Sequence, residues 1–122
     1  MVRKGIPNKR AKRGIIPSDP FKDRAHTVHL LITTFEKYFI KNQRDSMANL
    51  ATKILTVGDA DMIFSGKDPY VSGVAVFVYV CKRFSPNQRC IIKYDAIRDK
   101  VANFSAGGSF QNMLKTLKER FG

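Results

Sequence analysis

The most apolar segment of the sequence lies between Asp68 and Lys82 and contains no charged residue. Its alternating valines would suit a buried strand. The flanking residues favour a helix instead, because Asp68 can cap a helix start and Pro69 suits the first helical position. Lys82 and Arg83 are cations of the kind that stabilise a helix C-terminus. We therefore predict a central helix from Pro69 to Arg83, surrounded by other helices. One of its sides carries small residues that allow close approach: Ser72, Gly73 and Ala75.

Two amphipathic helices are predicted before the central helix. The first begins at Asp19-Pro20, which repeats the start signal at Asp68-Pro69. The second follows a polar turn over residues 42–45 and ends at Gly58. Apolar residues recur every three or four positions in both. Those of the first helix are Phe21, Ala25, Val28, Ile32, Phe35 and Phe39, and those of the second are Met47, Leu50, Ala51, Ile54 and Leu55.

The C-terminal third predicts two more helices. Residues 89–93 are compatible with an extended segment, and a helix follows from about Tyr94 to Ala102. Residues 103–108 form a Gly-containing turn, after which Ser109 can cap the last helix. The expected fold is therefore all-α: a compact five-helix domain over residues 19–122. The apolar face of the last helix consists of Phe110, Met113, Leu114, Leu117 and Phe121.

The charge balance narrows the function classes. The chain has 122 residues, enough for one domain, and a formal net charge of +12 with a pI near 10.1. Such an excess of cations indicates a polyanionic partner, with nucleic acid first and an anionic membrane surface second.

Half of that net charge falls within residues 1–18, which contain no acidic residue. This segment has little to bury, so we expect a flexible arm that binds phosphates. A nuclear-targeting run and a solubilising extension are the alternatives. The cations of the arm are Arg3, Lys4, Lys9, Arg10, Lys12 and Arg13.

Metal binding is not expected from the residues that could supply ligands. Cys81 and Cys90 lack a C-x-x-C spacing, and His26 and His29 have no cysteine near them in sequence to complete a site. We expect reduced thiols in an intracellular protein of the nucleus, the nucleoid or a viral particle. The absence of an apolar h-region indicates that the chain is not secreted, and the central apolar run is too short to span a membrane.

Motifs for catalysis are also missing. The sequence has no nucleophile elbow, P-loop or dinucleotide-binding Gly-x-Gly-x-x-Gly. Asp59 and Asp61 could hold a Mg²⁺ ion in a loop, but solvated turn carboxylates are far commoner. We expect a protein that is not an enzyme, with no catalytic residues, no cofactor and no small-molecule substrate.

The last two helices and their turn resemble a helix-turn-helix, whose second helix enters the major groove of DNA. Ser109, Gln111 and Asn112 would occupy the early exposed side of that helix, where Gln and Asn can pair with adenine. Lys115 and Lys118 would reach phosphates. A plain packed helical hairpin is the alternative, since most such pairs never contact DNA.

The order of helices resembles one cyclin-fold repeat of the general transcription factor IIB family, over residues 22 to 121. Gly66-Lys67-Asp68-Pro69 leads into the small-residue-rich helix at 72–82, and Asp95-Ala96-Ile97 precedes the turn and last helix. Valine replaces much of the alanine that this family has in its central helix. The resemblance implies a compact helical domain that binds DNA or a protein partner without catalysis.

Two functions remain open at this point. The first is a nucleic-acid-binding protein, with double-stranded DNA favoured over RNA, acting as a small transcription or genome-packaging factor. The second is a structural or assembly protein, such as a virion component, whose basic arm contacts nucleic acid or an acidic partner surface. A protein partner in a transcription or assembly complex is compatible with both.

Overall fold

The computed structural model describes residues 19–85, 90–101 and 104–122. These residues form helices and connections and contain no β-strand, which confirms the all-α prediction. The predicted arm over residues 1–18 lies outside the described residues. The helices are α1 (Pro20–Thr34), α2 (Lys41–Ala60), α3 (Pro69–Arg83), α4 (Tyr94–Arg98) and α5 (Gly108–Phe121), with a 3₁₀ turn at Glu36–Tyr38.

Helix α3 is the centre of the domain, as predicted. Asp68 is its N-cap, and the carboxylate accepts hydrogen bonds from the backbone N–H groups of Tyr70 at 2.8 Å and Val71 at 3.2 Å. Every residue from Ser72 to Cys81 is buried. A helix that is apolar on all sides gains its stability from neighbours on all sides, and α1, α2 and α5 each pack against α3.

The crossing of α1 and α3 depends on the small-residue side of α3. A Cβ atom at Gly73 would lie 2.8 Å from Thr27 Cβ and 3.0 Å from the carbonyl oxygen of Arg24. The absence of a side chain at Gly73 is therefore what lets the two helices come this close. The prediction of a narrow side on α3 is confirmed.

The turn between α1 and α2 lies earlier than predicted. Residues 42–45 are not a turn but part of the first turns of α2, which begins at Lys41. The chain reverses instead over the 3₁₀ turn, which contains Tyr38, and Phe39 follows α1 rather than belonging to it. Gln43 explains the helix start, because its side-chain oxygen accepts the backbone N–H of Ile40 at 3.4 Å.

The end of α2 also differs from the prediction. Gly58 is buried inside the helix rather than ending it, and α2 runs two residues further. A Cβ at Gly58 would lie 2.5 Å from a ring carbon of Phe64, so this glycine makes room for an aromatic ring. The left-handed turn that follows is at Met62, with φ of 62°.

An aromatic cluster attaches α5 to α4. The rings of Tyr94, Phe104 and Phe110 meet edge to face, with centroids 5.0 to 6.2 Å apart. Helix α4 is shorter than predicted and stops at Arg98. The prediction that Ser109 caps α5 is wrong, because Gly107 is the N-cap and Ser109 lies inside the helix without a capping hydrogen bond.

An arginine is buried where α1, α2 and the following loop meet. Arg24 is 3% exposed, and its guanidinium donates to Asp59 at 3.0 Å and lies 4.7 Å from the ring centroid of Phe64. Asp61, two residues further, accepts from Arg120 of α5 at 2.7 Å. In the part of the chain that the structure describes, no helix is long and apolar enough to cross a membrane.

Candidate nucleic-acid interface

A groove rich in cations runs between the C-terminal end of α3 and one side of α5. It has a volume of about 360 Å³, and we call it the cationic groove. Its positive side chains come from two helices, so that the groove exists only in the folded domain. The lining residues are Tyr79, Lys82, Arg83, Gln111, Leu114, Lys115, Lys118 and Gly122.

The α5 side of the groove follows from helical spacing. Gln111, Lys115 and Lys118 are separated by four and three residues, which places them within about 60° of one another around the helix axis. This stripe lies beside the buried face of α5, which includes Phe110 and Leu117. Burial of that face against the core therefore sets the direction in which the two lysines point.

On the α3 side, Arg83 is held by hydrogen bonds. Its Nη1 donates to the hydroxyl oxygen of Tyr79 at 2.8 Å, and the Tyr79 hydroxyl donates to a main-chain oxygen of Gly122 at 2.9 Å. The same Nη1 lies 3.4 Å from the carbonyl oxygen of Phe121. This network joins the last turn of α3 to the end of α5 and fixes the floor of the groove.

The groove carries an excess of positive side chains. In the part of the chain that the structure describes, the lining contains four cations and no aspartate or glutamate, and Gly122, the last residue of the sequence, places a main-chain oxygen 3.5 Å from Arg83 Nη1. The ion pairs found among the described residues involve none of those four. They are Arg24–Asp59, Lys41–Asp45, Arg44–Glu36, Arg98–Asp95 and Arg120–Asp61. Low-dielectric walls on both sides concentrate the positive potential in such a concave site.

The structure divides the residues that the sequence singled out on α5. Gln111, Lys115 and Lys118 come together in the groove, whereas Ser109 and Asn112 are exposed but do not line it. About 160° of helix rotation separates Ser109 from Gln111, so the two cannot face one ligand in the groove. The arm residues Arg3, Lys4, Lys9, Arg10, Lys12 and Arg13 lie outside the described residues.

Lys82 and Arg83 are groove residues that the sequence-based prediction assigned only to helix termination. The signal available in the sequence was their position in the last turn of α3, where cations are common for reasons of helix stability alone. Lys82 and Arg83 lie beside α5 because α3 and α5 pack together, and the local sequence does not indicate that packing.

The two helices of the predicted helix-turn-helix, α4 and α5, are both present, but the connection between them is longer than the motif requires. Helix α4 has five residues, and nine residues separate it from α5, whereas a helix-turn-helix turn has about three to four. The α5 residues Gln111 and Lys115 also line a concave surface rather than a projecting one. The pair therefore departs from the standard motif in both respects.

The other candidate ligands have structural partners. Asp59 and Asp61 each bind an arginine, as described above, and no group of three or more potential metal ligands occurs among the residues that the structure describes. Cys81 and Cys90 are free thiols. A hydrogen bond with Cys81, aided by the backbone of Ile92 and the charge of Lys82, outweighs burial and lowers the pKa of Cys90 to about 7.

Comparison with protein families, with curated proteins and with solved structures finds no match to this chain. The resemblance to a cyclin-fold repeat of the transcription factor IIB family therefore stays a prediction. What the chain binds has to be argued from the groove and the charge distribution.

Proposed function

We propose that this protein binds nucleic acid, double-stranded DNA in the first place, without catalysing a reaction. Its role would be that of a small transcription or genome-packaging factor. The observation that carries the proposal is the cationic groove, in which Lys82, Arg83, Lys115 and Lys118 converge with no aspartate or glutamate among the described lining residues. The net charge of +12 supports the same conclusion.

Counterion release would supply much of the binding free energy. Each DNA phosphate that a cation neutralises releases condensed counterions, which makes binding favourable at low salt. Because the groove lysines take part in none of the described ion pairs, a phosphate that approaches them need not displace a side-chain carboxylate. The six cations of residues 1–18 would add contacts of the same kind.

Sequence recognition by this surface should be weak. Gln111 is the groove residue with a side-chain amide that can pair with adenine, while Asn112 and Ser109 lie elsewhere on α5. Lysine and arginine contacts to phosphates set position and affinity and carry no base information. We therefore propose that affinity comes mainly from the DNA backbone.

The test is fluorescence anisotropy of the full chain with random and selected DNA duplexes over a salt series. The double substitution Lys115→Gln/Lys118→Gln removes two phosphate contacts. Because each contact contributes roughly 0.9 to the slope of log affinity against log salt concentration, the magnitude of that slope should fall by about 1.8. Lys22→Gln/Lys53→Gln is the matched control, since it removes the same charge from exposed lysines outside the groove.

The outcomes separate the two functions weighed from the sequence. Binding that persists after all six cations of residues 1–18 are changed to glutamine supports a DNA-binding domain. Loss of all binding in that variant, with no effect of the groove substitutions, would contradict the proposal. It would instead favour an assembly protein whose arm alone contacts nucleic acid.

A further inference from the structure

The floor of the cationic groove contains a guanidinium that is oriented before any ligand arrives. Tyr79 is 5% exposed, and its hydroxyl proton is donated to a main-chain oxygen of Gly122. With its proton used in this bond, the hydroxyl oxygen can only accept a hydrogen bond from Arg83, and it does so at 2.8 Å from Nη1. A guanidinium held in this way loses little conformational entropy when it binds an anion.

The remaining cations surround this fixed group on both helices. Lys82 precedes it on α3, and Lys115 and Lys118 lie across the groove on successive turns of α5. Guanidinium groups bind phosphate oxygens in a bidentate geometry, whereas ammonium groups act as mobile point charges. One rigid donor with three adjustable ones suits a ligand that carries more than one phosphate.

The size of the groove limits what can enter. A volume of about 360 Å³ is at the lower end of the range of small-molecule sites, roughly 300 to 1,000 Å³. A whole duplex, whose major groove alone is about 12 Å wide, cannot enter. A short stretch of sugar-phosphate backbone or the phosphate chain of a nucleotide can.

We propose that the cationic groove is a binding site for two adjacent phosphate groups, anchored by Arg83 and neutralised by Lys82, Lys115 and Lys118. The two phosphates belong to one nucleic-acid strand or to a nucleoside di- or triphosphate, which present the same chemistry. For the nucleic-acid source the inference rests on the proposed function. In either case the groove holds the phosphates, and binding depends little on base sequence.

The experiment is isothermal titration calorimetry of the full chain at low salt with two probes, inorganic pyrophosphate and a short oligothymidylate. Lys115→Gln/Lys118→Gln should weaken binding by about tenfold or more, because two charge-assisted contacts are removed. The control Lys22→Gln/Lys53→Gln should change the affinity by less than about twofold, since exposed charges far from the ligand are screened.

A second variant tests the fixed guanidinium without altering charge. Tyr79→Phe removes the hydroxyl that holds Arg83, and should weaken pyrophosphate binding by about threefold to tenfold, the loss of one hydrogen bond. The salt slope should stay as in the unmodified chain. If Tyr79 served stability alone, the melting temperature would fall and the affinity of the folded protein would not change.

Each outcome has a definite meaning. Weakening of the oligothymidylate alone assigns the groove to a strand, and weakening of pyrophosphate alone assigns it to a nucleotide. Weakening of both supports the shared chemistry. Equal affinities of the groove and control variants for both probes, or no binding of either probe at millimolar concentration, would overturn the inference. The proposed function fails separately, if the full chain does not bind duplex DNA.

Discussion

Replacing Gly73 by alanine tests the packing on which the whole domain depends. The added Cβ would lie 2.8 Å from Thr27 Cβ and 3.0 Å from the backbone carbonyl oxygen of Arg24. Neither atom belongs to the flexible end of a side chain, so relief requires α1 and α3 to move apart. Both helices are buried along this contact, and their separation would loosen the core around Val28 and Val76.

The magnitude follows from two opposing effects. Overpacking of a well-packed core costs about 1 to 3 kcal/mol. Alanine regains about 0.8 to 1.0 kcal/mol over glycine through its helix propensity. The net expectation for Gly73→Ala is a loss of about 1 kcal/mol in the free energy of unfolding. For a domain of this size that corresponds to a fall of about 4 to 8 °C in the melting temperature.

Urea and thermal unfolding followed by circular dichroism would measure both quantities. Gly108→Ala is the matched control, because it is also at a helical glycine but a Cβ there has no neighbour within 4 Å. The control should be neutral or slightly stabilising. If Gly73→Ala proved as stable as Gly108→Ala, the close crossing of α1 and α3 described above would be incorrect.

Two further predictions concern charge and pKa. Asp59→Ala should lower the free energy of unfolding by about 1 to 2 kcal/mol in urea titrations, because it leaves the buried Arg24 without its partner. Asp45→Ala breaks an exposed ion pair and should cost less than about 0.5 kcal/mol. Equal losses in the two variants would argue against a structural role for the buried arginine. Iodoacetamide should alkylate Cys90 at a rate that rises through pH 7, since the thiolate reacts and the pKa of this thiol is lowered to about 7. Cys81 is buried and its pKa is raised by the hydrogen bond with Cys90, so it should stay unmodified in the folded protein, and a faster reaction at Cys81 would contradict this assignment.

The central part of the fold could be predicted because its signals are local. Asp68 and Pro69 mark the start of α3, and Lys82 and Arg83 mark its last turn. The apolar run between these two signals therefore predicts both ends of the helix. The polar residues 42–45, by contrast, were expected to form a turn because of their composition. In the structure residues 42–45 lie in the first turns of α2. The side chain of Gln43 makes the capping contact there, which the composition of the segment does not indicate.

The candidate site could be predicted only in part, because it joins two helices that are distant in sequence. The stripe of Gln111, Lys115 and Lys118 follows from helical periodicity. The contribution of Lys82 and Arg83 depends on how α3 crosses α5 and on the hydrogen bonds of Tyr79, which are tertiary features. The prediction that Ser109 and Gln111 face the same ligand is wrong for the groove, because residues two apart in sequence lie on nearly opposite sides of a helix.

The most direct test of DNA binding by the cationic groove is a ¹H–¹⁵N NMR titration of the full chain with a short random-sequence DNA duplex. The amide signals of Lys82, Arg83 and the α5 stripe at Gln111, Lys115 and Lys118 should shift progressively, while that of Lys53 on α2 should not. Shifts confined to residues 1–18, or centred on α1 and α2 with the end of α3 unchanged, would contradict the cationic groove as the nucleic-acid interface.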